Sequence, residues 1–416
     1  MSSSSSPKPA DGGRLCVLVH AWPRLSMTFV AQELVGLESQ GLNLWIATYG
    51  KPDAIRHPIH DQLKAEVHRL ADKGVDYPRF LRAFFRVRRK PGFAAALALF
   101  RRSMKARATR REWRSFARGV IIAAELPADI RMVYAHFIGS ATTVARYAAM
   151  IAGLPLAASA HARDIWTSSE DNIRDKLSAM DWCTTCTKLG AEYLQKLSGD
   201  PAKVHLIYHG LSFDRFPSDP PRRGNADGSD APVQLLSVGR AVEKKGFDVL
   251  LDALSKLPAN LRWRWTHVGG GKILDQLQNQ AEALGLSNRI SSLGAQDQRQ
   301  IIDLYRGSDL FVLPCREASD GDRDGLPNVL MEAQSQALAC LSTDFSEIPE
   351  LIIDGQTGVL VPPADAVALT EALERLIRSP EERERLGLAG YKRVRSKFEA
   401  DGGIREIAGL LRKSMQ

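Results

Sequence analysis

Two series of short apolar runs, each run followed by a helical pattern, constrain the fold more than any other feature of the sequence. The first series begins at residues 15–20 and the second at residues 234–238. Between them, residues 217–232 are rich in Pro, Gly and Asp and have the composition of a linker. Strand patterns that alternate with helical patterns are typical of parallel sheets covered by helices on both faces. We therefore predict an α/β protein made of two doubly wound domains that face each other across a cleft.

The same patterns predict the domain boundaries. In chain order we expect a disordered tail at 1–13, an N-terminal domain at 14–216, the linker at 217–232, a second domain at 233–385, and C-terminal helices at 386–416 that pack back on the first domain.

The composition is that of a soluble globular protein, because 44% of the 416 residues are hydrophobic and 25% are charged. The five cysteines are odd in number and scattered, which favours a reducing compartment. The N-terminal stretch lacks the apolar core of a signal peptide, and the sequence contains no apolar run of the roughly 18 residues that a membrane span requires. We therefore expect a cytoplasmic protein.

A polar loop that leads into a helix follows the apolar run at 310–313. The loop carries four acidic residues, namely Glu317, Asp320, Asp322 and Asp324. Gly325-Leu326-Pro327 then opens the helix, with the proline near its first position, where a missing N–H costs nothing. Asp320 and Asp322 form a D-x-D pair, which we interpret as loop acidity and not as a metal site.

The start of this helix is a predicted ligand site. Its free N–H groups and its dipole favour an anion, and Asp324 and Glu332 place carboxylates on either side of it. Phosphate and hydroxyl groups on one ligand would suit this combination. Acidic residues at a helix start also complement the dipole without any ligand, and spacing alone does not separate the two interpretations.

Other polar residues follow predicted strands in both halves. His136, His161 and His209 come at the ends of three strands of the first series, where open α/β sheets bind ligands, although any one of them is more often structural. In the second series, the glycines at 269–271 follow a strand and permit close approach of a ligand to the backbone.

One segment makes the protein basic. Residues 79–118 contain fourteen Lys or Arg and one acid, Glu112, so that their charge is +13 while that of the whole chain is +8. Aromatic and long aliphatic residues are interleaved with these charges on helical patterns, which favours contact with an anionic membrane surface. Nucleic-acid binding and an ordinary solvated basic face remain alternatives.

The second half resembles the retaining glycosyltransferases of family 4, which have the GT-B fold of two Rossmann-like domains. Its five matching segments are S-V-G-R-A-V-E-K-K-G (237–246), H-V-G-G-G (267–271), D-G-L-P-N-V-L-M-E-A (324–333), S-T-D-F-S-E-I-P-E-L-I (342–352) and D-G-Q-T-G-V-L-V-P (354–362). The first half agrees less strongly, at P-R-L-S-M-T-F (23–29), A-H-F (135–137), S-A-H-A-R-D-I-W (159–166) and Y-H-G (208–210). The chain is most similar to members that build bacterial exopolysaccharide or lipopolysaccharide.

The resemblance implies a role for each matching residue. Arg240 and Lys245 would bind the donor diphosphate and stabilise it as it leaves, and Asp324 and His161 would contact the donor sugar. Glu332 would hold the ribose hydroxyls. The residues that would complete the donor site with backbone groups are Gly269, Gly271, Gly325, Leu326, Pro327 and Asn328.

The implied reaction is transfer of a sugar from a nucleoside-diphosphate sugar to an acceptor hydroxyl, with retention at the anomeric carbon. We expect no metal and no other cofactor, because two cations and a helix start can neutralise a diphosphate. The expected partners are the nucleotide sugar, a saccharide or lipid-linked saccharide acceptor, and an anionic membrane surface bound through 79–118, with the protein peripheral on the cytoplasmic face. No nucleic-acid partner is expected.

Departures from the family pattern leave other functions open. Asp324 stands where the family commonly has Glu, Met27 where it often has Glu, Ser212 where an Asp often follows, and Glu347 where Gly is common. A catalytically silent sugar-nucleotide-binding protein, a related GT-B epimerase or phosphorylase, and a protein that binds nucleic acid or membrane through the basic segment are the alternatives.

Overall fold

The computed structural model describes residues 13–24, 27–53, 58–106, 108–221 and 223–416. They form two compact units. The first comprises the described residues up to 186, residues 190–207 and residues 401–416, and the second comprises residues 187–189 and the described residues from 208 to 400. Most of the predicted tail, residues 1–12, lies outside the described residues.

Seven parallel strands form the sheet of the first unit. They are β1 (Arg14–Ala21), β2 (Leu44–Gly50), β3 (Glu66–Arg69), β4 (Ile130–His136), β5 (Leu156–Ala160), β6 (Trp182–Thr185) and β7 (Val204–Leu206). Their order in the sheet is β3-β2-β1-β4-β5-β6-β7. The central strand β1 is buried along almost its whole length, which explains its continuous apolar run.

The helices connect these strands. They are α1 (Thr28–Ser39), α2 (Tyr77–Val87), α3 (Pro91–Ala106), α4 (Arg110–Glu125), α5 (Ser140–Ala152), α6 (Ala162–Trp166), α7 (Glu170–Ser178) and α8 (Lys188–Leu197). Local sequence sets several ends: the side chain of Asp76 accepts a hydrogen bond from Arg79 N at the start of α2, and Gly153 ends α5 with a φ of 68°.

The second unit has a six-stranded parallel sheet in the order β10-β9-β8-β11-β12-β13. The strands are β8 (Val233–Val238), β9 (Trp263–Val268), β10 (Ile290–Ser292), β11 (Leu310–Leu313), β12 (Cys340–Thr343) and β13 (Val359–Val361). The helices are α9 (Phe247–Ser255), α10 (Leu274–Ala283), α11 (Gln298–Gly307), α12 (Asn328–Ser335), α13 (Ile348–Leu351), α14 (Ala366–Arg378) and α15 (Pro380–Lys397), and α16 (Ala400–Met415) follows them.

Both sheets are doubly wound. In each sheet the chain first adds strands on one side of the first strand and then crosses to the other side, and right-handed crossovers place helices on both faces when the direction reverses. The prediction of two Rossmann-like domains is therefore confirmed.

The domain boundaries differ from the predicted ones. The N-terminal part of the first unit ends at residue 207, and the predicted linker 217–232 belongs to the second unit, where a Cβ on Gly228 would lie 2.9 Å from side-chain atoms of Ile377 and Leu261. Proline and glycine here serve a turn that packs on the unit, which composition does not distinguish from a linker. Of the predicted C-terminal helices, residues 386–400 belong to the second unit and 401–416 to the first.

Among the described residues, every helix is too short or too polar to cross a bilayer.

Candidate active site

The candidate site lies where the strand order of the second sheet reverses. The chain leaves β8 to form β9 and β10 on one side, and it returns to form β11, β12 and β13 on the other. The loops that follow β8 and β11 therefore emerge side by side at the C-terminal edge of the sheet. Ligands of open α/β sheets bind at this position.

The loop after β8 is shaped by its last glycine. Residues Glu243–Lys245 form a short 3₁₀ turn, and Gly246 then adopts a φ of 65° before α9 begins. A Cβ on Gly246 would lie 2.0 Å from the carbonyl oxygen of Pro314, at the end of β11. Only glycine permits this approach, which brings the two loops together.

Lysines of the first loop hold an aspartate of the second. The distance from Lys245 Nζ to Asp324 Oδ2 is 2.6 Å, and that from Lys244 Nζ to Asp324 Oδ1 is 3.1 Å. The Asp324 side chain is 17% exposed, so it can still meet a ligand. The structure thus brings together two residues, Lys245 and Asp324, that the sequence assigned to one site.

The ion pairs fix the charge state of this carboxylate. Burial alone would raise the pKa of Asp324, but the charges of Lys245 and Lys244 and their hydrogen bonds lower it to about 2. Burial would likewise lower the pKa of Lys245, but the Asp324 carboxylate more than offsets it and the pKa is raised. At neutral pH the site therefore presents charged groups. Arg240, exposed on the same loop, adds a further positive charge that acts on Lys245.

The predicted glycines after β9 are required by the backbone of the site itself. Gly269 has a φ of 140°, and a Cβ there would lie 2.1 Å from the Gly239 carbonyl oxygen. A Cβ on Gly271 would lie 2.2 Å from the Ala241 carbonyl oxygen, and the Ala241 N–H donates to the Gly270 carbonyl oxygen at 2.9 Å. Close packing against residues 239–241 accounts for both glycines, and their contact with a nucleotide stays a prediction.

The helix start in the second loop is α12. Pro327 is the residue before the helix and Asn328 is its first residue, in agreement with the predicted start near Pro327. Among the described residues, no side chain caps this end, and the Leu330 N–H donates to the Pro327 carbonyl oxygen. Gly325 and Leu326, both half-buried, link Asp324 to this helix.

Glu332 lies in the second turn of α12, as predicted. The hydroxyl of Tyr305, which is fully buried on α11, donates to Glu332 Oε2 at 2.9 Å. Burial raises the pKa of Glu332, while the Tyr305 hydrogen bond and the charge of Arg215 act in the opposite direction.

His161 belongs to the first unit and is therefore not among the residues gathered here. It follows β5 and precedes α6, its Nε2 lies 3.1 Å from Ser159 Oγ, and its backbone N–H donates to Asp164 Oδ1. Its ring packs against Phe29 and Phe137, with centroid distances of 4.8 Å and 4.6 Å. These contacts orient the imidazole, and its role toward a donor sugar stays a prediction.

The basic segment 79–118 forms most of α2, α3 and α4, and it uses most of its aromatic residues internally. Six of them are buried in the core of the first unit or packed against it, namely Phe80, Phe84, Phe93, Phe100, Trp113 and Phe116. Their number therefore reflects helix packing and is not evidence of insertion into a membrane. A stripe on α2 remains exposed: Tyr77 is 59%, Leu81 52% and Phe85 60% accessible.

Sequence reasoning missed two residues of the site. Lys244 lies beside the predicted Lys245 in a K-K pair, but nothing in the sequence told which lysine faces which acid. Tyr305 is 27 positions away from its partner Glu332, in an ordinary amphipathic helix, and no local pattern marks it.

Comparison with known proteins bears on both units. Residues 225–393 match the family described as glycosyl transferases group 1. The amylovoran biosynthesis glycosyltransferase AmsK of Erwinia amylovora is 32% identical over 217 residues, which cover 52% of each chain. The putative colanic acid biosynthesis glycosyltransferase WcaL of Salmonella typhimurium is 31% identical over 225 residues, 54% of each chain. The chain thus spans about half the length of these curated relatives.

A likeness in structure extends further along the chain. HepE of Anabaena, in a crystal structure with UDP and glucose, superposes with a TM-score of 0.69 over 96% of this chain and 99% of that one, at 16% sequence identity. At this identity the likeness shows the fold alone, which is GT-B. The chain therefore has the GT-B fold, and the match to the glycosyl transferases group 1 family lies within its second unit.

Proposed function

We propose that this protein is a retaining glycosyltransferase that moves a sugar from a nucleoside-diphosphate sugar to a saccharide acceptor. The observation that carries the proposal is the ion-paired cluster of Lys245, Lys244 and Asp324 at the point where the strand order of the second sheet reverses. Charged groups with strongly shifted pKa values gather at functional sites, and a nucleotide sugar offers a diphosphate for the cations and hydroxyl groups for the carboxylate.

The positive groups are assigned to the diphosphate. Arg240 and Lys245, on the loop after β8, would bind its oxygens, and the first N–H groups of α12 would add their dipole. During the reaction the bond between the anomeric carbon and the diphosphate oxygen breaks, so that negative charge accumulates on the leaving group. Fixed cations that meet this charge lower the barrier. We propose that these groups suffice without a metal ion, and undiminished activity after treatment with EDTA would test this.

The carboxylates are assigned to hydroxyl groups. Asp324 is ionised and partly accessible, so it can accept hydrogen bonds from the donor sugar. Glu332, held by Tyr305, would accept from the ribose hydroxyls. The acceptor oxygen forms the new bond to the anomeric carbon on the face that the diphosphate leaves, and its proton passes to an oxygen of the leaving phosphate.

The acceptor is proposed to be a saccharide of an exopolysaccharide or lipopolysaccharide, carried on a lipid. Relatives that are named for amylovoran and colanic acid synthesis support this class. The exposed stripe on α2 supports the lipid carrier, because Tyr77, Leu81 and Phe85 lie four residues apart on one face. Exposed Arg82, Arg86 and Arg88–Lys90 surround that face and suit anionic head groups. We propose that this face holds the protein on the cytoplasmic side of a membrane.

Vesicle flotation tests the membrane surface. We expect the wild type to float with vesicles of phosphatidylcholine and phosphatidylglycerol, and less with phosphatidylcholine alone. Leu81→Gln with Phe85→Gln should reduce flotation at least fivefold. The control is Leu284→Gln with Val367→Gln, which removes two exposed apolar residues of the second unit. Equal flotation of the two double variants would contradict the assignment.

A thermal-shift panel of UDP, GDP, ADP and CMP tests the donor site. One nucleoside diphosphate, at about 100 times its dissociation constant, should stabilise the wild type by about 2.7 kcal/mol. Arg240→Ala should abolish the shift. The matched control is Arg264→Ala, because Arg264 is also exposed in the second unit but lies near the start of β9, at the opposite end of the strand. A wild type that responds to none of the four nucleotides would contradict the proposed function.

A further inference from the structure

The ammonium group of Lys244 donates all of its protons to acceptors in the loop after β11. Its Nζ lies 3.1 Å from Asp322 Oδ1, 3.1 Å from Asp324 Oδ1 and 3.5 Å from the carbonyl oxygen of Arg323. An ammonium group has three protons to donate, and these three acceptors use them. The side chain is 9% exposed, so Lys244 faces the protein and not a ligand.

Lys245 is differently placed. Its Nζ binds the other oxygen of the same carboxylate, Asp324 Oδ2, at 2.6 Å, and its side chain runs under Gly239, where a Cβ would lie 3.3 Å from Lys245 Cε. Lys245 thus lies next to the backbone that leads to Arg240. The proposed function assigns Lys245 to the diphosphate, but in this structure its ammonium is already bound to Asp324.

Moving Lys245 from Asp324 to a diphosphate would carry an electrostatic cost. If Lys245 turns from Asp324 to a diphosphate, a carboxylate that is 17% exposed loses its nearest cation. Breaking one partner away from a buried ion pair is strongly unfavourable when nothing replaces it. Lys244 removes this cost, since it holds the second oxygen of Asp324 and need not move.

We infer that Lys244 is a positioning residue that keeps Asp324 neutralised and in place while Lys245 transfers from Asp324 to the donor diphosphate. The inference rests on the proposed function. It assigns separate tasks to two adjacent lysines: Lys245 exchanges partners, and Lys244 stays with the loop. Asp322 takes part as the second anchor of Lys244. Its own backbone N–H donates to Asp320 Oδ1 at 3.0 Å, and its carbonyl oxygen accepts from the Ala318 N–H, so the anchor is itself fixed.

The inference predicts an unusual result for a residue that does not touch the ligand. In Lys244→Met, Lys245 is the one ion-pair partner that the described residues leave to Asp324, so Lys245 should bind a nucleoside diphosphate without a sugar at least tenfold more weakly. Adding Asp324→Asn to this variant removes the charge that retains Lys245. The double variant should therefore recover the affinity of the wild type for UDP or GDP, although it lacks two residues of the site.

Isothermal titration calorimetry with UDP and with GDP would test this on the wild type, Lys244→Met, Lys244→Arg, Asp324→Asn and the double variant. Lys244→Arg keeps the charge and should bind within threefold of the wild type, whereas Asp324→Asn releases Lys245 and should bind UDP or GDP more tightly than the wild type. A Lys244→Met variant that binds like the wild type would overturn the inference. So would a double variant as weak as Lys244→Met, because Lys244 would then contact the diphosphate or support the fold.

Failure of the proposed function gives a separate result, since the wild type would then bind neither UDP nor GDP. Circular dichroism and urea denaturation of each variant show whether it folds. If Lys244→Met alone fails to fold, Asp322→Asn takes its place, because it loosens Lys244 without removing either lysine. Asp322→Asn should weaken UDP or GDP binding about threefold, and Asp322→Asn with Asp324→Asn should restore it.

Discussion

The two units share a doubly wound sheet topology, but one carboxyl group in each, Asp324 in the second unit and Glu33 in the first, is held in the opposite charge state. In the second unit, Asp324 lies between two lysines that lower its pKa to about 2. In the first unit, Glu33 on α1 is 3% exposed, accepts a hydrogen bond from the Tyr134 hydroxyl at 3.0 Å and lies 3.5 Å from His136 Nε2 at the end of β4. Burial raises the pKa of Glu33 to about 8, although the Tyr134 hydrogen bond acts in the opposite direction.

This difference shows which part of the site comes from the fold and which from the residues. In both units the strand order reverses beside the first strand, which places loops of the same kind together. In the second unit those loops carry opposite charges that can be exchanged with a charged ligand. In the first unit the buried Glu33 is protonated at neutral pH and serves a hydrogen-bonded interior. Charge, and not topology, therefore distinguishes the proposed donor site.

The largest expected effect comes from comparing Lys245 of the second unit, which is largely but not fully buried, with the buried Lys176 of the first unit. Lys245→Met should lower kcat/KM for sugar transfer about 10²- to 10³-fold, because it removes one cation from the leaving diphosphate. Lys176→Met in the first unit should leave donor affinity unchanged and lower the free energy of unfolding by about 1–3 kcal/mol. Lys176 Nζ donates to the carbonyl oxygens of Ile138 and Gly139 at 2.7 and 2.9 Å, and these would lose their partner.

Kinetics with the donor identified by the nucleotide panel, together with urea denaturation, would measure both effects. Lys256→Met, which changes an exposed lysine of the second unit, is the control for both. A Lys245→Met variant with wild-type activity would remove the distinction between a lysine that serves ligands and one that serves the fold.

A second prediction concerns the close approach of the loops after β8 and β9. Gly271→Ala would place a Cβ 2.2 Å from the Ala241 carbonyl oxygen, so we expect the free energy of unfolding to fall by about 2–4 kcal/mol. Gly270→Ala is the matched control, since its Cβ would have no heavy atom within 4 Å. Urea denaturation of both variants measures the difference, and equal stability would show that the loops can separate without cost.

The sequence predicts the fold of the second unit and the proximity of Lys245 to Asp324, for physical reasons. Buried parallel strands are continuous apolar runs, and Gly246 or Gly271 mark close contacts that only glycine permits. Arg240, Lys245 and Asp324 follow strands whose ends must meet at one edge. What the sequence does not contain is the choice of partner: either lysine of the K-K pair could face either acid of the loop, and only the turn at 243–245 decides it.

In the first unit, the sequence does not predict which aromatic side chains are exposed. Its basic and aromatic segment indicated a membrane surface, but Phe80, Phe93 and Phe116 turned out to be core residues. The amino-acid composition gives the number of aromatic residues but not the side of the helix on which each one lies. Phe80 and Phe84 lie on α2 next to Leu81 and Phe85, so the sequence of the helix does not tell which pair is exposed. The packing of α2 on α4 decides that Tyr77, Leu81 and Phe85 form the exposed stripe.

The two carboxyl groups predict opposite responses of stability to pH. The pKa of Glu33 rises from its ordinary value of 4.5 to about 8 in the folded protein, so between these pH values the folded state binds more protons than the unfolded state. The free energy of unfolding should therefore fall as pH rises from 5 to 8, by up to about 1.4 kcal/mol per pH unit, and Glu33→Gln should remove that slope. Asp324 is shifted from 3.8 down to about 2, so its contribution is present above pH 4 and is lost as pH falls toward 2.

Urea denaturation at several pH values gives the free energy of unfolding of the wild type and of each variant. The difference between wild type and variant separates the titration of the replaced group from all other titrations. Relative to Glu33→Gln, the wild type should lose stability between pH 5 and 8. Relative to Asp324→Asn, it should lose stability between pH 4 and 2. Slopes of the same sign in the two differences would contradict the assigned charge states.

The smallest expected effect tests whether Glu332 belongs with the charged site or with the interior. Tyr305→Phe removes the hydroxyl that donates to Glu332 Oε2 at 2.9 Å and leaves the aromatic packing in place. If Glu332 receives the ribose hydroxyls as an ionised and oriented carboxylate, loss of this donor should weaken nucleoside-diphosphate binding by about 1 kcal/mol, or roughly fivefold. Tyr134→Phe, which removes the corresponding donor to Glu33 in the first unit, should not change binding at all. Calorimetric titration of both variants with UDP and GDP would measure this, and equal effects would mean that Glu332 acts through the core and not through the ligand.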